Sequence, residues 1–293
     1  EGTMSKARER FRQILARPAC TLAAPIFDPL SARIADMLGW EVCKLSGSVG
    51  KFANLAVPDG VPLSNMSDLV DLCWRINRVT DTCLIADADE GGGNALNVFR
   101  TVRELEAVGV VAIELEDNLV PSRFGEAESR HSLLISLEEQ VDKLKAAVAA
   151  RRDPSTVIVA RTLALAQLPM NEALDRIKAY SQTGAEAIML PRVPRGRADI
   201  EALHRTTSLP LFVLGAPPDD AGAPGFLGAH GVRIRYLGQS IYGMAVKALH
   251  DGLNHLKNGG SAADLKDRSA PPELIDAVNR TEEFVQWQKK FMK

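Results

Sequence analysis

Short, nearly unbroken apolar runs alternate along this chain with stretches in which apolar residues recur every three or four positions. The runs lie at 21–27 (TLAAPIF), 42–47 (VCKLSG), 82–89 (TCLIADAD) and 109–116 (GVVAIELE). Four more follow at 156–163 (TVIVARTL), 185–191 (AEAIMLP), 210–215 (PLFVLG) and 232–238 (VRIRYLG). Apolar runs without strict alternation predict parallel strands covered on both faces. Helical spacing fills the intervals at 29–39, 66–79, 94–107, 136–151, 170–183, 196–207 and 240–256. Repeated strand–helix units predict a parallel α/β sheet. Eight of them favour closure into a (β/α)8 barrel of the TIM type over an open, doubly wound sheet. The 293 residues suffice for a barrel, which needs about 250. No GxGxxG follows the first run, which weakens a dinucleotide-binding alternative.

Some segments stand outside this rhythm. Residues 5–16 are helical in pattern and suit a cap on the barrel floor. Residues 258–270 form a polar linker, and 272–290 an amphipathic helix carrying Phe284, Val285 and Trp287. That helix must bury its apolar face on its own barrel or on a neighbour's. The division expected is a catalytic barrel over 4–257 and a linker with a C-terminal helix over 258–293. The segments 48–66 and 118–135 are long and irregular. Both follow strands, so both belong at the C-terminal mouth, where barrel active sites lie. Residues 118–135, with Gly125 and many polar groups, have the composition of a lid.

Composition narrows the partners. A net charge of -2 and a pI near 6.3 argue against nucleic acid or an anionic membrane surface. No secretory leader pattern is evident and no apolar run reaches transmembrane length, so a cytoplasmic protein is expected. Cys20, Cys43, Cys73 and Cys83 form no CxxC pair and have no nearby histidine, which argues against a zinc site.

The chemistry concentrates at strand ends. Asp87-Ala88-Asp89-Glu90 closes one strand, and Gly91-Gly92-Gly93-Asn94 leads into a helix. Three acids in four residues repel one another unless a cation sits among them. Hard oxygen donors with open positions suit Mg2+, or Mn2+ in its place. The competing reading is that Asp89 or Glu90 caps the next helix. Glu114, Glu116 and Asp117 close the following strand, and alternation puts Glu114 and Glu116 on one side. Neighbouring strands lie about 5 Å apart, so Glu116 can face Asp87 or Asp89. Arg161 sits in an apolar strand, where arginines are rare unless paired. Its partner is either an acid such as Glu116 or a substrate carboxylate. Ser46-Gly47-Ser48 offers N–H groups and hydroxyls to an anion, or makes an ordinary turn. Asp59, in the loop beyond, either reaches a metal through water or is solvated. Of the histidines, only His131 lies where it suits catalysis; His204, His250 and His255 read as surface residues.

Together these segments resemble the isocitrate lyase/phosphoenolpyruvate mutase superfamily. The resemblance runs from FDPLSARIADMLGW (27–40) through LSGSV (45–49), DADEGGGN (87–94), LED (115–117) and VART (159–162) to the C-terminal helix. Within it the chain is most similar to the oxaloacetate decarboxylase branch, through ALNVFRTVRELE and the FG at 124–125. The resemblance implies a Mg2+-dependent carbon–carbon lyase that converts oxaloacetate, or a close 2-oxo dicarboxylate, to pyruvate through an enolate. It implies that Asp87 binds the metal directly and that Asp59, Asp89 and Glu116 hold its waters. Ser46, Gly47 and Ser48 would hold the substrate carboxylate and 2-oxo group, and Arg161 the substrate and enolate. It implies a homotetramer in which pairs of subunits exchange their last helix.

The sequence departs from the family in several places. Its lid, VPSRFGEAESRHS, lacks the cysteine of the isocitrate and methylisocitrate lyases and the asparagine signature of the mutases. Glu90 adds a charge beside the metal-binding run. Gly92 replaces an aromatic residue and could leave room for a branched substrate. Gln239 stands where the decarboxylase branch has a histidine, and glutamine supplies no proton at neutral pH. Three other readings stay open: a lyase of a substituted malate, a phosphonopyruvate or carboxyphosphonoenolpyruvate mutase-like enzyme, and a barrel that has drifted to binding a metabolite without turnover.

Overall fold

The computed structural model describes residues 2–59, 63–120, 133–214 and 224–292, and all eight apolar runs in it are strands. They are β1 (Thr21–Ile26), β2 (Val42–Leu45), β3 (Cys83–Asp87), β4 (Ala112–Glu116), β5 (Val157–Arg161), β6 (Ala187–Leu190), β7 (Leu211–Leu214) and β8 (Val232–Tyr236). Every neighbouring pair is parallel, and β8 closes on β1 to make a complete barrel. Helices α1 (Gly2–Ala16), α2 (Pro29–Met37), α3 (Gly47–Leu55), α4 (Met66–Asn77), α5 (Ala95–Ala107) and α6 (Leu137–Ala150) belong to the first half. The second half carries α7 (Ala164–Gln167), α8 (Met170–Tyr180), α9 (Arg197–Thr206), α10 (Pro224–Ala229), α11 (Ser240–Lys257), α12 (Pro272–Asn279) and α13 (Thr281–Phe291).

Two apolar layers result. One lies between strands and helices, where Leu84, Ile113, Leu115 and Ile188 meet Leu72, Val98, Leu105 and Leu144. The other fills the barrel, from Val42, Ile85, Val157, Val159 and Phe212 down to Phe11 and Ile14 of α1. Helix α1 therefore plugs the floor, as its pattern predicted. Its arginines tie it to backbone around the rim: Arg8 donates to Val110 O, Arg10 to Asp81 O, and Arg12 to Pro154 O and Ser155 O.

Two sequence readings need correction. Segment 48–66 does not begin as irregular chain, because α3 starts directly after β2. The single helix expected over 272–290 is two helices, broken at Arg280, whose φ of 54° is left-handed. The short helices α7 and α10 left no periodicity long enough to detect. Phe124, Gly125, His131 and Gly215 lie outside the described residues.

Candidate active site

The acids and Arg161 gather at the C-terminal mouth because the register brings their strand ends side by side. Asp87 lies opposite Glu114, and Glu116 opposite Arg161. Beyond β3 the chain turns sharply, with Asp89 in the left-handed region at φ 48°. Such strain in a residue with a Cβ collects at functional sites. Glu116 N–H donates to Asp89 O at 2.8 Å, which pins the turn to the end of β4. The next helix is capped by Asn94, whose side chain accepts from Leu96 N and Asn97 N. Asp89 and Glu90 are thus free of the capping role, and Asp89 turns to the mouth, where it pairs with Lys51. Gly47 completes this corner, since a Cβ there would collide with the Asp89 carboxylate.

Arg161 is the central cation. One guanidinium nitrogen donates to Asp87 Oδ2, and Nε lies 3.1 Å from Glu116 Oε2. The second contact is an ion pair without hydrogen-bond geometry, so Nε and Glu116 Oε2 are both buried without a hydrogen-bond partner. Lys51, on α3, pairs with Asp89 at 2.8 Å and lies 3.9 Å from the exposed Asp59. Burial acts to raise the Asp87 carboxyl. The charges of Arg161 and Lys44 and the N–H groups of Gly47 and Asp89 outweigh it and hold Asp87 well below the usual carboxylate range. Its neighbours go the other way. Burial and the charge of Asp87 push Asp89 up to about 6. Burial pushes Glu116 up to about 7, with the charges of Asp87 and Asp89 adding to it and the charge of Arg161 opposing it.

Beside these acids, α3 opens at Gly47, so Ser46-Gly47-Ser48 is the start of a helix. The first N–H groups of a helix have no partner within it and attract anions. Gly47 N–H donates to Asp87 Oδ2 at 3.3 Å. Gln239, just before α11, donates to Ser48 Oγ, which lies 3.1 Å from Ser46 Oγ. The structure thus brings Ser46, Ser48, Asp87, Arg161 and Gln239 around one mouth, with Asp89 and Glu116 flanking. A cavity of about 330 Å³ opens there. Lys44, Ser46, Asp87, Arg161 and Gln239 give it polar groups, and Phe27, Val49, Pro191, Leu214, Leu237 and Tyr242 give it apolar lining.

Sequence reasoning missed Lys44, Lys51, Tyr236 and Tyr242. A lysine inside the apolar run VCKL was the available signal for Lys44; nothing marked the others. The reading of Gly92 is corrected. Its φ is 85°, and a Cβ there would meet Met66 Cγ at 2.9 Å. The glycine serves the backbone and the packing of α4, and gives no room to a ligand. Glu90 is half-buried and has Lys143 of α6 as an electrostatic neighbour.

Among the described residues, no three His, Cys, Asp or Glu side chains converge as a ready metal cage. Mg2+ does not require one, since it keeps several waters and takes one or two carboxylates. The residues present fit it. The donors are oxygens only, Glu116 Oε2 is buried without a hydrogen-bond partner, and burial together with neighbouring carboxylates raises Asp89 and Glu116.

Residues 11–257 match the phosphoenolpyruvate phosphomutase family. The chain belongs to that family. Among members with assigned activity, it is 40% identical over 276 residues to an oxaloacetate decarboxylase of Bradyrhizobium diazoefficiens, covering 94% of this chain and 93% of that protein. It is also 40% identical over 294 residues to an oxaloacetate decarboxylase of Pseudomonas fluorescens, covering 98% and 96%. A crystal structure of phosphonopyruvate hydrolase with oxalate and Mg2+ superposes with a TM-score of 0.83 at 29% identity, covering 98% of this chain and 99% of that one. The phosphomutase family resemblance seen in the sequence motifs therefore extends to the whole barrel.

Proposed function

We propose that this family member is a Mg2+-dependent carbon–carbon lyase that decarboxylates oxaloacetate, or a close 2-oxo dicarboxylate, to pyruvate. The observation that carries the reading is one mouth holding an oxygen-only acid cluster, Arg161 and a helix start, all facing a largely apolar wall. The oxaloacetate decarboxylase relatives support it. Asp87 would bind the metal, with Asp59, Asp89 and Glu116 holding its waters. Bound there, Mg2+ supplies Lewis-acid polarisation of the 2-oxo oxygen.

The chain's own groups do the rest. N–H groups at the start of α3 and the hydroxyls of Ser46 and Ser48 receive the carboxylate and 2-oxo oxygens. Arg161 balances the negative charge that grows on the enolate as the bond to the departing carboxylate breaks. The wall of Phe27, Val49, Leu214, Leu237 and Tyr242 keeps water from that carboxylate, which leaves as neutral CO2. Gln239 holds the Ser48 hydroxyl in place and delivers no proton, so the C3 proton that turns the enolate into pyruvate comes from solvent water. The apolar wall and the size of the cavity favour one second reading, a lyase of a substituted malate.

We also place the protein in the cytoplasm and in a homotetramer of helix-exchanged pairs. No helix among the described residues is long and apolar enough to cross a membrane, and the four cysteines are free thiols. No residue of α11, α12 or α13 is buried, although Val246, Leu249, Leu253 and Leu256 form a stripe on α11.

The test is pyruvate release from oxaloacetate with and without Mg2+, corrected for decarboxylation by the metal alone. Metal-dependent release that Arg161→Ala lowers at least a hundredfold is expected, the scale of removing a group that stabilises transition-state charge. No release above background would refute the oxaloacetate reading, and a panel of substituted malates would then decide the second.

A further inference from the structure

Beneath the mouth lies a charged cluster that the proposed chemistry does not use. Glu114 is fully buried in β4, one inward-facing position below Glu116. Both its carboxylate oxygens are occupied. Tyr236, on β8, donates its hydroxyl to Oε1, and the Lys44 ammonium, on β2, donates to Oε2 at 2.5 Å. The ammonium also lies over the Tyr236 ring, 5.0 Å from its centre. Lys44 and Tyr236 are 7% and 2% exposed, yet both line the cavity. Arg161 Nη1 stands 3.8 Å from the same Glu114 Oε2, too far for a hydrogen bond.

Arg161 thus has three carboxylates within reach, and its use depends on how many hold it. Asp87 and Glu116 belong to the mouth. A third carboxylate closing on the guanidinium would engage donors that a substrate needs and add negative charge where an anion must sit. A buried carboxylate that loses its partners turns to the nearest donor, because an unpaired charge in a low dielectric is costly. For Glu114 that donor is Arg161.

We infer that Lys44 and Tyr236 are positioning residues that hold Glu114 away from Arg161 and so keep the guanidinium available to an anionic substrate. The Lys44–Glu114 pair is neutral in sum, so it places no net charge beneath the site. Both residues act through Glu114 and neither touches the reacting atoms. The inference rests on the proposed role of Arg161 as the anion-binding group.

The test measures oxalate binding in the presence of Mg2+, by calorimetry on the full chain, beside KM and kcat for oxaloacetate. Lys44→Met should weaken oxalate binding about tenfold or more and raise KM, the scale expected when a charge-assisted contact is lost. The double variant Lys44→Met/Glu114→Gln should recover to within about threefold of the parent, because the competing carboxylate is gone. Tyr236→Phe should weaken binding about threefold, and Glu114→Gln should reverse that too. If Lys44→Met melts early or fails to fold, the Tyr236 pair, which leaves Lys44 in place, decides the matter. A double variant as weak as Lys44→Met would mean that Lys44 grips the anion itself, and would overturn the inference. So would unchanged affinity in both single variants while Arg161→Ala abolishes binding. If the parent binds no oxalate, or Arg161→Ala binds it normally, the reading of Arg161 fails and the inference falls with it.

Discussion

At the scale of single residues, backbone constraint and charge separate what sequence alone runs together. Gly92 reads as a missing aromatic ring, but its φ of 85° and the nearby Met66 give it a conformational role. Gly92→Tyr should therefore destabilise the fold by about 1–3 kcal/mol through strain at a positive φ and overpacking. Denaturant midpoints would register this, and the ranking of substrates should stay as it was. The carboxylates predict a pH dependence of stability. Asp89 and Glu116 titrate higher folded than unfolded, so the native state holds more protons in that interval. Their contribution favours the fold below the unfolded carboxylate range, and is lost as pH rises towards about 6 and 7. Asp87 acts in the opposite sense: its contribution is present above the ordinary aspartate range and lost as acid protonates it. Thermal melts of metal-free protein should decline between about pH 4.5 and pH 7, and added Mg2+ should flatten that decline. A flat metal-free profile would count against the crowding of these acids.

At the scale of elements, the parts legible in the sequence were those with a repeating pattern. Every strand was, because a strand buried on both faces leaves an unbroken apolar run. The long helices were legible for the same reason. Helix α3 was not: its run, GSVGKFANL, carries two glycines and begins directly after a strand. The break at Arg280 was hidden because arginine is a good helix former, and nothing local announces a left-handed φ there. The acid clusters and Arg161 could be placed at one mouth from strand register alone. Their partners Lys44, Lys51 and Tyr236 could not, since those pairings join residues far apart in the chain. Helix α11 makes the prediction at this scale. Its stripe of Val246, Leu249, Leu253 and Leu256 is exposed to an extent that a subunit interface would explain. Leu249→Glu combined with Leu253→Glu should lower the assembly mass measured by light scattering and leave the barrel's circular dichroism unchanged. An unchanged mass would remove this face from the assembly.

At the scale of the whole molecule, the barrel is closed below by α1 and carries its acids at the other end. That arrangement bears on the order in which the protein is built. Helix α1 precedes in sequence every loop its arginines grasp: Arg10 reaches Asp81, Arg8 reaches Val110, and Arg12 reaches Ser155 and Glu186. During synthesis it is made well before those loops emerge, so it cannot dock as it appears. The full set of its partners is complete only when more than half of the barrel has left the ribosome. Its docking joins the floors of β3, β4, β5 and β6, and a nascent chain stalled before β6 would hold α1 by only part of those contacts.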